Sequence, residues 1–311
     1  MYTRYKIKTK VIKYVKGEES MDRLELKSLA KINLGLDVLG KRENGYHDVR
    51  MVMQTIYLYD NVILEKTKEK GIDVKTNLFF LPVDENNIAY KAAKLLIDEF
   101  DIQEGISIRL RKYIPVAAGM AGGSSNAAAV LFGMNKMFNL GLTQKELMDR
   151  GVQLGADVPY CIMRGTVLAE GIGEELTELP PMPKCHILIA KPAVSVSTKV
   201  VYEKFDALEN VEHPDIDGIL EGLKSQDLYK ISSSMGNVLE GVTIKEYPVI
   251  QAIKEQMLKE GALNALMSGS GPTVFGIFDD KGKAKKAQKM LKEKNLAKQI
   301  YLTNVHNTRR R

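Results

Sequence analysis

Residues 115–129, PVAAGMAGGSSNAAA, constrain this chain of 311 residues more than any other stretch. Just before them Ile106, Ile108 and Leu110 alternate with polar neighbours, the period-two signal of a strand with one buried face. Just after them Asn126, Ala127, Ala128, Ala129, Val130 and Leu131 open an apolar, alanine-rich helix, with Ser124 and Ser125 as natural caps of its first turn. Gly119, Gly122 and Gly123 let the backbone bend through conformations closed to other residues, and a side chain at Gly122 would fill the space left for a ligand. Strand, glycine-rich turn and helix N-terminus together make an anion site, because free N–H groups and the positive end of the helix dipole face outward. Two better-known loops do not fit. No Lys stands between Gly119 and Asn126, as a P-loop requires, and the GxGxxG spacing of a dinucleotide fold is absent. The alternative is a ligand-free turn ahead of a tightly packed helix, which leaves the two adjacent serines without a purpose; a magnesium–nucleotide site uses at least one such hydroxyl.

The chain on either side alternates strands and helices. Leu24 and Leu26, then Ile32, Leu34, Leu36 and Val38, keep one strand period. Asn44 and Gly45 signal a turn before a second strand near residues 52–58. Residues 84–100 predict a helix capped by Asn86 or Asn87, with Ile88, Ala92, Leu95, Leu96 and Phe100 as its apolar stripe. Thr143 and Glu146 form a capping box for a helix running to Leu154 and stopped by Gly155. Asp157 falls in the following turn, just before Pro159, where the backbone is expected to be non-helical. Pro180, Pro181 and Pro183 mark the expected domain boundary, ahead of a buried strand at 186–190. Helices are expected near 198–208, 216–223 and 248–259, then a second glycine-rich turn at 268–271 before a strand at 274–278. Residues 281–294 place Ala284, Ala287, Met290 and Leu291 on one face of an amphipathic helix, so their lysines are its solvated side.

Composition narrows the class. Hydrophobic residues at 44% and charged residues at 27% describe a globular chain of two domains, and no apolar run approaches membrane-spanning length. Cys161 and Cys185 lie in apolar surroundings without a His at ligand spacing, the usage of a reduced, cytoplasmic protein; a catalytic thiol is the alternative. The net charge of +6 invites a nucleic-acid reading. It is concentrated at the ends, in residues 1–20 and 309–311, which leaves the body near neutral, whereas a phosphate-tracking surface carries its charge on the fold. Residues 1–20 lack the apolar core of a signal peptide. We expect them to be an extension ahead of a natural start at Met21.

PxxxGxxGGSSNAAA resembles the central motif of the GHMP small-molecule kinases, a family named for galactokinase, homoserine, mevalonate and phosphomevalonate kinases. LKSLAKINLGLDVLGKRENGYHDVRMVMQTI resembles the family's first motif and LMSGSGPTVFGIF its third, so the likeness runs from about Leu24 to Phe278. Met120 and Ala121 stand where Leu and Gly are usual, a change tolerated if neither side chain touches phosphate. AKINL, NGYH and LGADVPYCI are most similar to the family members whose acceptor is a cytidine-diphosphate alcohol.

The resemblance implies an α+β, two-domain GHMP-kinase-like fold. Residues 21–179 would form a ribosomal-protein-like, ATP-binding N-terminal domain, and residues 180–311 a ferredoxin-like, substrate-binding C-terminal domain, with the active site in the cleft between them. It implies ATP and Mg2+ as cofactors. The nucleotide would be held by Pro115, Val116, Ala117, Ala118, Gly119, Met120, Ala121, Gly122, Gly123, Ser124 and Ser125, with Ser125 also touching the metal. Lys31, otherwise readable as a solvated strand lysine, would neutralise charge near the γ-phosphate and keep Asp157 ionised. Asp157, otherwise a turn-former, would be the general base. Asn33, Tyr46, His47, Thr198 and Tyr202 would bind the acceptor, the two tyrosines sandwiching the cytosine and His47 bonding its edge; as bare residues the tyrosines read first as half-buried core. The expected partner is a small molecule, with no nucleic acid and no membrane, and the chain a monomer or weak homodimer. Another GHMP kinase and a nucleic-acid-binding protein stay open as alternatives.

Overall fold

The computed structural model describes residues 21–308. The expectation about residues 1–20, like residues 309–311, lies outside the described residues. Two long antiparallel strands come first, β1 (Arg23–Lys41) and β2 (His47–Thr67), with Gly45 in the turn between them at a φ of 84°. Residues 28–38 of β1 are buried on both faces. A shift of register between Asn33 and Gly35 turns the strand over midway, as a bulge does. Ile32 and Leu34 therefore enter one hydrophobic core, and Leu36 and Val38 the other. The unbroken period in the sequence had put all four on one face.

Then follow β3 (Ile72–Thr76), α1 (Ile88–Phe100), β4 (Gly105–Arg111), α2 (Gly122–Met137), α3 (Gln144–Leu154), α4 (Asp157–Met163), β5 (Thr166–Glu170) and β6 (Glu175–Glu178). The later half adds β7 (His186–Lys191), α5 (Thr198–Phe205), α6 (Ile216–Ser225), α7 (Leu228–Ser234), β8 (Gly236–Asn237), α8 (Glu240–Glu246), α9 (Val249–Lys259), β9 (Asn264–Met267), β10 (Val274–Phe278), α10 (Lys281–Glu293) and β11 (Gln299–Asn304). One sheet runs β3-β4-β2-β1-β8, with β5 and β6 extending from β2; the other runs β11-β7-β10-β9. The short β8 pairs with Gly35 and Leu36 of β1, so the later half of the chain returns to the first sheet beside the bulge. The helices α7 and α8 have seven residues each, too few to show a period, and the sequence did not reveal them.

Local chemistry explains most boundaries. The Asn87 side chain accepts from Ala89 N and starts α1, and the Thr143–Glu146 capping box starts α3, which ends at Gly155. Three expectations are corrected. α2 begins at Gly122, so Ser124 and Ser125 lie inside its first turn, and the cap position falls to Ala121, which offers no side-chain bond. The left-handed backbone is carried by Ala117, Gly119 and Ala121 (φ 48°, 70° and 52°), while Gly122 and Gly123 are helical. A Cβ at Gly122 would stand 3.0 Å from Ile114 Cγ2 and 3.4 Å from Lys112 Nζ, so a larger side chain there would press on these two residues. Asp157 is the first residue of α4, and Pro159 sits in that helix's first turn, where no N–H is needed.

Two sets of contacts hold the glycine-rich loop. From outside, the turn at 268–271 presses against it: Ser268 Oγ donates to Gly119 O at 2.8 Å, and a Cβ at Gly119 would stand 2.0 Å from Ser268 O. From beneath, the buried Lys112 ammonium donates to Asp60 Oδ2 and, at 2.7 Å, to Asn126 Oδ1. Asp60 Oδ1 accepts from Tyr113 N (2.6 Å) and Ile114 N (2.8 Å), and Asn126 Nδ2 donates to Asp60 Oδ2 and Ser28 Oγ. Asp60 is wholly buried, and every group around it is a donor.

Lys112→Met removes the cation from this cluster, and breaking a buried pair by deleting one partner costs about 3–5 kcal/mol. Denaturant unfolding should show a loss of that size, partly recovered in Lys112→Met/Asp60→Asn; a Lys112→Met protein as stable as the parent contradicts the assignment. Gly119→Ala meets a backbone carbonyl at a left-handed residue, so ATP affinity measured by calorimetry should fall at least about tenfold. Unchanged affinity in the folded variant would show that the loop does not hold nucleotide.

Candidate active site

Two cavities flank the glycine-rich loop. The first, about 440 Å³, is lined by residues 115–124 together with Asn87, Ile88, Lys112 and Asn126. The second, about 770 Å³, is lined by Lys31, Lys41, Tyr46, His47, Tyr202 and Asp206 among others. Gly119, Ser124, Asp157 and Thr198 line both. A group passed from one cavity to the other crosses at these four residues.

The loop is built to receive an anion. The first intrahelical bond of α2 is Ser125 N to Ala121 O, so the N–H groups of Gly122, Gly123 and Ser124 precede the ladder, and no side chain caps them. Ser124 lines both cavities. Ser125 is buried at 3% exposure and lines neither, so of the two serines it is Ser124 that faces the cavities.

Lys31 and Asp157 come together across the second cavity. The Lys31 ammonium, on a side chain only 6% exposed, stands 3.9 Å from Asp157 Oδ2 and donates to Asn33 Oδ1 at 2.7 Å. Its backbone N–H also bonds Met120 O, tying β1 to the loop. Asn33 is wholly buried and lines neither cavity, so it positions Lys31. Among the described residues no hydrogen bond reaches the Asp157 carboxylate, which leaves both oxygens available to a substrate hydroxyl. Beside it, burial pushes the Cys161 thiol well above its ordinary range, and Cys185 likewise, as expected of inert core cysteines.

The far end of the second cavity is aromatic. The rings of His47 and Tyr202 lie 4.8 Å apart at 40°, while Tyr46 stands on the rim, 59% exposed. Burial, with the Asp157 charge adding to it, pushes the Tyr202 phenol up to about 12, so it stays neutral. Thr198 Oγ1 pairs with Ser270 Oγ at 2.8 Å, joining α5 to the turn at 268–271. His47 Nε2 and Lys41 Nζ hold the two oxygens of Asp206 at 2.6 and 2.7 Å. Burial raises the Asp206 carboxyl, but the bonds from Lys41 and His47 outweigh it and hold the group below the ordinary carboxylate range.

Sequence reading missed Asp60, Lys112, Lys41 and Asp206. Lys41 falls inside the stretch that resembles the family's first motif without a role of its own there, and Asp60, Lys112 and Asp206 stand in no motif; the roles of all four rest on partners distant in the chain. Among the described residues no cluster of three or more His, Cys, Asp or Glu could hold a metal alone. A divalent ion here would need ligand phosphates, with Ser124 and Asp157 as the oxygen donors at the junction, a donor set that suits a hard cation.

Residues 87–165 match the model of the GHMP kinases N terminal domain, and residues 208–297 that of the GHMP kinases C terminal domain. The chain is 60% identical over 285 residues to the 4-diphosphocytidyl-2-C-methyl-D-erythritol kinase of Lachnospira eligens, covering 92% of this chain and 99% of that one. It is 48% identical to the kinase of the same name from Clostridium perfringens, at 92% and 99% coverage. Among solved structures, a 4-(cytidine 5'-diphospho)-2C-methyl-D-erythritol kinase superposes with a TM-score of 0.78 at 28% identity, covering 92% of this chain and all of the other. A homoserine kinase from Cytophaga hutchinsonii shares the fold, with a TM-score of 0.76 at 22% identity over 94% and 97% of the chains. The chain belongs to the GHMP kinase family, with both of its domains present.

Proposed function

We propose that this chain transfers the γ-phosphate of ATP to a hydroxyl of 4-diphosphocytidyl-2-C-methyl-D-erythritol, a step of the non-mevalonate route to isoprenoid precursors. The observation that carries the reading is the junction of the two cavities, where Asp157 and Ser124 face both. In this reading the first cavity takes ATP, with its phosphates on the first-turn N–H groups of α2. The second takes the acceptor, with its cytosine among Tyr46, His47 and Tyr202 and its reacting hydroxyl at Asp157. A boundary after residue 179 places Tyr46 and His47 in the first domain and Thr198 and Tyr202 in the second, so the acceptor cavity draws on both, and a cytoplasmic site of action fits the reduced cysteines. Among the described residues no helix is long and apolar enough to cross a membrane.

Phosphoryl transfer asks a protein for positioning, charge neutralisation and a proton acceptor. Asp157 accepts the proton of the attacking hydroxyl. Lys31, steered by Asn33, places its charge beside the oxygens of the transferring group. Gly119 lets the loop fold against Ser268 so that N–H groups are left to face the phosphates, and Thr198 holds α5 against the opposite wall. Ser124 and Asp157 are the residues that would hold magnesium, which would supply positive charge to offset that of the phosphates.

Asp157→Asn keeps the shape and removes the proton acceptor, so kcat should fall about 10² to 10⁴-fold while ATP binding measured by calorimetry is retained. Lys31→Met should behave in the same way. Near-normal turnover in Asp157→Asn would reduce the residue to a helix-starting role. Loss of one stacking ring costs about 1–3 kcal/mol. Tyr202→Ala and Tyr46→Ala should therefore raise KM for the cytidine substrate about ten- to a hundredfold in steady-state assays and leave KM for ATP nearly unchanged. Equal weakening of both substrates, or none, would return mevalonate-like, homoserine-like or sugar acceptors to consideration.

A further inference from the structure

At the base-binding end one residue of the cavity lining dictates the chemistry of another. Asp206, the residue after α5, reaches back to the β1–β2 hairpin, 159 residues away in the chain, and its Oδ1 lies 2.6 Å from His47 Nε2. A carboxylate can only accept, so in the neutral ring the proton must be on Nε2. Nδ1 is then an acceptor. Among the described residues it has no hydrogen-bond partner, although the His47 side chain is only 8% exposed and lines the cavity. The Lys41 ammonium on the second Asp206 oxygen, at 2.7 Å, offsets the carboxylate charge, which would otherwise repel a diphosphate in the same cavity.

We propose that Asp206 is a positioning residue that sets the His47 tautomer, and that this tautomer makes the site accept cytosine and reject uracil. The inference rests on the cytidine reading given above. The two pyrimidines differ at the 4-position, where cytosine offers an amino donor and uracil a carbonyl acceptor. An acceptor at His47 Nδ1 pairs with the first and faces the second with two lone pairs and no proton. The tilted contact with Tyr202, 4.8 Å between centroids, keeps the ring from turning to present its other nitrogen. Freed from Asp206, the imidazole carries its proton on either nitrogen, and the distinction between the two bases is lost.

Steady-state kinetics with the cytidine-diphosphate alcohol and its uridine counterpart test this in the parent, Asp206→Asn and Asp206→Ala proteins, alongside ¹⁵N spectra of the histidine rings of the full-length parent. The parent should prefer the cytidine compound and show His47 as the Nε2–H tautomer. Both variants should lower the cytidine-to-uridine ratio of kcat/KM at least about tenfold, mainly through KM for the cytidine compound, with KM for ATP unchanged. A uniform fall in activity with the ratio intact, or a parent His47 protonated on Nδ1 or on both nitrogens, overturns the inference while the cytidine reading stands. No turnover of the cytidine compound by the parent overturns that reading, and the inference with it. Asp206→Asn is nearly isosteric, and the parent spectrum needs no variant, so a poorly folded Asp206→Ala protein leaves the test intact.

Discussion

The buried carboxylate of Asp60 is the contact on which the glycine-rich loop of this molecule depends. It sits on β2 with no exposure to solvent and gathers the Lys112 ammonium, the Asn126 amide and the N–H groups of Tyr113 and Ile114. Those donors come from the residue after β4, the segment entering the glycine-rich loop and the second turn of α2. One anion thus fixes where the loop begins and where its helix starts. The arrangement also has an energetic logic. A buried charge is costly unless every lone pair is met, and Asp60 meets that condition through four donors drawn from three places.

From that anchor the loop is closed by a second chain segment. Gly119 runs so close to Ser268 that there is no room for a side chain, and Ser268 returns a hydrogen bond to the Gly119 carbonyl. Nearby, Asn237 donates to the carbonyls of Met267 and Gly269, which fixes the turn from behind. The two glycine-rich turns of the sequence are therefore parts of one surface. Their contact brings α5 with Thr198 and Tyr202 opposite β1 with Lys31, and the second cavity is the space left between them.

The bulge in β1 explains how one strand serves both faces. Lys31 and Asn33 precede it and Leu36 follows it, and the reversal lets Lys31 and Leu36 line the same cavity although their positions differ in parity. Pairing of β8 with Gly35 and Leu36 covers the strand where its own ladder is disturbed. A side chain at Gly35 would lie 2.5 Å from Ile216 and 2.7 Å from Ile219, so α6 packs tightly against this point and holds the irregularity in place.

What the sequence determined by itself was local. The strand, glycine-rich turn and helix at 106–131, the Asn87 cap, the Thr143–Glu146 box and the amphipathic face of α10 rest on neighbours within a few residues, and their chemistry is readable from spacing. The family likeness came from the same local motifs. The reversal of β1, the choice of Ser124 over Ser125 and the helical start at Asp157 were decided only in the folded chain, because each depends on register or phase that a shift of one residue inverts. Asp60 with Lys112, 52 residues apart, and His47 with Asp206, 159 apart, were invisible for a plainer reason. A lone charged residue in a strand or after a helix carries no local sign of its partner: the pairing of β2 with β4 brings Asp60 to Lys112, and only the docking of the segment after α5 on the β1–β2 hairpin brings Asp206 to His47.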